Sequence, residues 1–201
     1  MGAGSAGDET TTDMLRTATA RLLELASPHG ADPTVLARRA ADRARARGPY
    51  HHDTLSAANE LALSRLASGH LRHALADLHG LAHTCAHTLG AEHPDTLVVR
   101  GNLALAQLAA GELDTAEAAL AQLHHDRRRL LGAEHPSTHN AALALALAHH
   151  TQHRPDDARA LASPIHEHLH HLHGPDHPLT QFSTSLLNWD LVEPTDTAEI
   201  G

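Results

Sequence analysis

Four short segments recur along this chain without a single insertion between them. They are Gly48-Pro49-Tyr50-His51-His52-Asp53-Thr54, Gly90-Ala91-Glu92-His93-Pro94-Asp95-Thr96, Gly132-Ala133-Glu134-His135-Pro136-Ser137-Thr138 and Gly174-Pro175-Asp176-His177-Pro178-Leu179-Thr180. The leading glycines stand 42 positions apart each time. A fixed period of this size marks an array in which each unit buries its apolar face against the next. Such arrays present long surfaces and bind more often than they catalyse.

Inside a period the signals fall in one order. In the unit from Gly90, Pro94 suits a first helical turn and Asp95 sets a carboxylate at the positive helix end. Thr96 to Ala110 reads as a helix, Gly111 breaks it, and Leu113 to Leu131 reads as a second helix ended by Gly132. Ala74, Ala116 and Ala158 keep the same register, which a close crossing inside each hairpin requires. Gly69 and His153 are the counterparts of Gly111. The spacing predicts repeats at 48–89, 90–131 and 132–173, followed by a capping helix within 174–192. Upstream, 10–47 reads as a degenerate helical pair, with helices over 10–26 and 33–47. Residues 1–9 and 193–201 are expected to be disordered.

Composition agrees with an all-α chain. The 201 residues are 41% hydrophobic but only 1% aromatic, namely Tyr50, Phe182 and Trp189. The core must come from Ala, Leu and Val, without the β-branched and aromatic content that strands favour. Net charge is −9 with neutral histidines. Lysine is absent, and the cluster Arg38, Arg39, Arg43, Arg45 and Arg47 reads as a solvated helix face. An acidic chain of this kind is a poor nucleic-acid binder. The lone Cys85 suits a reducing compartment. The first residues carry no basic and apolar leader pattern, and no apolar run reaches membrane-span length. The expected location is the cytoplasm, with no membrane partner. The Arg-only, Ala-rich and His-rich usage points to a GC-rich genome such as an actinomycete's.

The string Gly-Ala-Glu-His-Pro-Asp-Thr-Leu, followed by Arg100-Gly101-Asn102-Leu103-Ala104, Gly111 and Ala116, resembles the 42-residue tetratricopeptide repeat of kinesin light chains. It is also similar to actinobacterial regulatory repeat arrays. The resemblance spans 48–189 and implies a right-handed superhelical solenoid of antiparallel helical hairpins. First helices would line a concave groove, and the protein would act as an adaptor or regulator holding a partner peptide or helix. Carried over by register, the groove would present Asn59, Leu63, Leu66, Val98, Asn102, Leu105, Leu108, Asn140, Leu143, Leu147, Phe182 and Trp189. The family's asparagine pair is kept only in part, as Asn59-Glu60, Gly101-Asn102 and Leu143-Ala144. No Arg falls at a groove position, so a clamp for acidic carboxyl termini is not expected.

Histidine is the unusual residue, with 22 copies. His79, His83 and His87 fall at helical i, i+4 and i+8 spacing, and His166, His168, His170, His171 and His173 crowd the end of the third repeat. Paired imidazoles on one helix face can chelate a transition metal. His93, His135 and His177 belong to the repeat motif, however, and the rest are spread over all units, so no metal site and no cofactor are assigned. Cys85 and His87 face different ways on a helix, and no catalytic residues are assigned. Two alternatives to a peptide-binding module are an enzyme or metal-binding accessory protein on a helical scaffold, and a homo-oligomeric scaffold joined through exposed repeat ends.

Overall fold

The computed structural model describes residues 32–189. The helix expected over 10–26 and the two expected tails lie outside the described residues. Among the described residues eight helices follow in chain order: α1 Pro33–Arg47, α2 His52–Ala67, α3 Leu71–Thr88, α4 Pro94–Ala109, α5 Leu113–Leu131, α6 Pro136–Thr151, α7 Pro155–His173 and α8 Pro178–Leu187. No strand occurs among the described residues. Each helix packs on the next, while α2, α4, α6 and α8 also touch in succession. The result is an all-α solenoid of antiparallel hairpins.

The motif builds each junction with its own atoms. His51, His93 and His135 are the N-cap residues of α2, α4 and α6, and their imidazole Nδ1 accepts a hydrogen bond from the backbone N–H two residues on, at 3.2, 3.2 and 3.1 Å. The ring thus satisfies one of the orphan amides of the first turn, a task more often given to Ser or Asp. Thr54 and Thr138 donate their hydroxyls back to the Gly48 and Gly132 carbonyls. Gly48, Gly90, Gly132 and Gly174 hold φ between 79° and 99°, a region costly for a side chain with Cβ, and this turns the chain from one hairpin to the next.

Ala74, Ala116 and Ala158 are each fully buried, as a tight crossing inside each hairpin demands. The largest apolar cluster runs from α4 to α8 and joins Leu105, Leu108, Leu120, Leu143, Leu147 and Phe182. A second joins Leu55, Leu78, Leu81, Cys85 and Val99 across α2 to α4. Helix α6 is buried on every face from Ala141 to Thr151, which its Ala-Leu alternation permits because small side chains let neighbours approach from all sides. Arginines hold the frame at two places one double period apart. Arg43 donates to the Asp53 carbonyl, and Arg127 donates to the Ser137 and Leu97 carbonyls.

Candidate functional site

Two places in the fold gather polar groups in a way that could serve a ligand: the row of first helices α2, α4, α6 and α8, and a cleft where the third hairpin begins.

Along the first helices, Asn102 Nδ2 donates to Asn59 Oδ1 at 2.9 Å, joining α4 to α2. Val98, one turn before Asn102, is 44% exposed. Leu66 and Asn59 are half-buried. Asn140 on α6 is also half-buried, and its side-chain oxygen has no hydrogen-bond partner. At the far end Trp189 is half-buried and stacks on His150, with ring centroids 5.6 Å apart.

Solved structures similar to this one in shape are repeat arrays. Two structures of a Podosopora anserina protein assigned as a kinesin light chain, with nearly identical TPR-like repeats, superpose with TM-scores of 0.65 and 0.64. Each is 23% identical in sequence, and each match covers 90% of this chain and 83% of the other; the first is a single-substitution variant. The chain has the tetratricopeptide fold. No family model and no curated protein matches the sequence.

Against that fold, seven of the expected groove side chains need correction. Leu63, Leu105, Leu108, Leu143, Leu147 and Phe182 are buried, with exposures of 8% or less, and so is Asn102 at 3%. Leu105, Leu108, Leu143, Leu147 and Phe182 belong to the main apolar cluster. Their register on the first helices follows the tetratricopeptide pattern, but successive Ala-rich helices sit close enough to close over them. Surface remains only at Asn59, Leu66, Val98, Asn140 and Trp189. A carboxylate at Leu105 or Leu147 would therefore disrupt the core rather than report on a groove.

The Arg-bearing α1 is a laced surface. Arg45 pairs with Asp42, Arg47 with Asp53 and Arg39 with Glu60, while Arg43 reaches the Asp53 carbonyl. A serine-histidine contact exists between His166 Nδ1 and Ser183 Oγ at 3.0 Å. The Ser183 hydroxyl donates to the Thr180 carbonyl, so it accepts from the imidazole, the reverse of the polarity a nucleophile needs. No helix among the described residues is long and apolar enough to cross a membrane.

The cleft lies between the end of α5, the 132–135 turn, α6 and α7, and encloses about 310 Å³. His168 Nδ1 on α7 stands 2.9 Å from Glu134 Oε2 in the turn. His139, in the first turn of α6, meets the His168 ring edge-on at 5.1 Å. It is 6% exposed, and burial, then His168, push its pKa down. His124 on α5 lines the same cleft and is lowered by burial and by Arg128. Sequence reasoning passed over this group, because the three residues come from separate segments and share no helical spacing. The available signal lay in the register: His139 stands 42 residues after Leu97, where an apolar residue belongs.

Proposed function

We propose that this protein is an interaction module, an adaptor or regulator working in the cytoplasm, that holds a short apolar segment of a partner protein against its first helices. The observation that carries the reading is Val98, an apolar side chain left 44% exposed one turn from the Asn59–Asn102 bridge. An extended or helical segment could bury its apolar side chains on Val98 and Leu66 and find amide partners at Asn59 and Asn140. The tetratricopeptide fold of the two solved arrays supports this class of function. A reducing compartment fits the buried, unpaired Cys85.

Capture of partners from the native host tests it, with Val98→Glu as the discriminating variant. Val98 is exposed, so the change should leave helicity intact while retained partners fall by at least about tenfold, the effect of a charge set into an apolar contact. Capture should also weaken little in high salt, because apolar contacts are not screened. Partners retained equally by Val98→Glu, or lost with salt alone, would move the binding face elsewhere.

A further inference from the structure

The geometry points to a divalent transition-metal site, of the kind that takes Zn²⁺ or Co²⁺, formed by Glu134, His139 and His168 at the start of the third hairpin. One ligand atom from each residue lies within 4.8 Å of the other two. Metal bonds of 2.0–2.2 Å would set neighbouring ligand atoms roughly 3.3 Å apart in tetrahedral geometry. The cluster must therefore close by at most about 1.5 Å around an ion. Glu134 is exposed and sits in a turn, where that adjustment is small. His168 Nδ1 and Glu134 Oε2 are already 2.9 Å apart.

The repeat itself supplies an independent argument. The positions equivalent to His139 are Leu97 and Leu55, buried core residues at 4% and 5% exposure. The positions equivalent to His168 are Asp126 and Thr84. Two imidazoles thus replace unrelated residues at one place in the array, and the fold brings them to the same carboxylate. An imidazole in a leucine's place costs burial of a polar ring, which a metal bond would offset. Two nitrogens, one carboxylate and no thiolate suit Zn²⁺, Co²⁺ or Ni²⁺ rather than Ca²⁺, Mg²⁺ or Cu⁺. The remaining coordination positions would open on the 310 Å³ cleft. Arg128 lines that cleft as well, and its charge makes the site weaker than the ligand set alone would be.

The test uses the full chain, stripped with a chelator and titrated with Zn²⁺ by calorimetry, and with Co²⁺ by visible absorption. One site per chain is expected, with the intense d–d bands of a low-coordinate Co²⁺ complex. His139→Leu restores the residue found in the preceding repeats, so it should fold as well as the parent, checked by dichroism. It should weaken Zn²⁺ binding by at least about tenfold, as should Glu134→Gln at the surface. The paired change His79→Ala and His83→Ala on α3 should leave that site intact. A site that survives both His139→Leu and Glu134→Gln, or several weak sites abolished by the α3 change, would overturn the assignment. So would the absence of any stoichiometric binding.

Discussion

In the second hairpin a guanidinium occupies the space that a leucine fills in the third. Arg127 on α5 is 9% exposed and hydrogen-bonds to the Leu97 and Ser137 carbonyls. Burial, then the neighbouring Arg100, pull its pKa down to about 10. Room for it comes from Gly101 on α4, where an added Cβ would lie 3.2 Å from a Leu123 methyl and 3.5 Å from an Arg127 nitrogen. One period later the same two positions hold Leu143 and Leu169, both in the main apolar cluster. The backbone is shared and the contents differ. The period therefore constrains the path of the chain through caps and turns, while these two hairpins fill equivalent interior positions differently.

The largest effect should come from mixing the two fillings. Leu169→Arg would bury a cation opposite Leu143, with no glycine to make room. A loss of about 3–5 kcal/mol is expected, the range for an uncompensated buried charge, read from urea unfolding followed by dichroism. A midpoint unchanged from the parent would break the comparison.

A milder mixture lies in the second hairpin. Gly101→Leu overpacks Leu123 and Arg127 and should cost about 1–3 kcal/mol. Adding Arg127→Leu reproduces the third hairpin's filling and should recover at least about 1 kcal/mol of that loss. If the double change costs the sum of the singles, the two positions do not share space.

How far this could be read beforehand follows from where the information sits. Junction chemistry is local: Gly132, His135, Pro136 and Thr138 carry their roles in their identities, so the helix bounds near Pro136 and Leu131 were legible in the sequence. Burial is a sum over neighbours. Leu143 and Leu147 have the spacing of an inner-face stripe, and only the approach of α4 and α8 on either side of α6 makes them core. The cleft was harder still, since Glu134, His139 and His168 meet through three segments and no local pattern links them.

The two hairpins also differ at the turn between their helices. Gly111 takes φ of 79°, and its counterpart His153 takes 58°, the one left-handed side-chain-bearing residue among those described. An L-residue there carries strain that glycine avoids, partly offset by glycine's greater freedom in the unfolded chain. His153→Gly should raise stability by about 0.5–1 kcal/mol net, and Gly111→His should lower it comparably. Equal melting temperatures in both exchanges would show that the turn tolerates either residue.

The smallest effect concerns pH and again separates equivalent positions. His124 on α5 corresponds to His166 on α7. His166 has a hydroxyl partner in Ser183, whereas His124 is partly buried, and its pKa is lowered by that burial, then by Arg128 and His125. In the unfolded chain the ring regains an ordinary value near 6.5. Between the lowered folded value and that ordinary one, the unfolded state binds more protons, so this group's contribution is present above about pH 6.5 and is lost as pH falls. In chelator, the parent should therefore lose more melting temperature between about pH 7 and pH 5 than His124→Ala does. His166→Ala instead removes the donor to a wholly buried hydroxyl and should lower stability at neutral pH already. If His124→Ala keeps the parent's full acid slope, the loss on acidification must arise elsewhere.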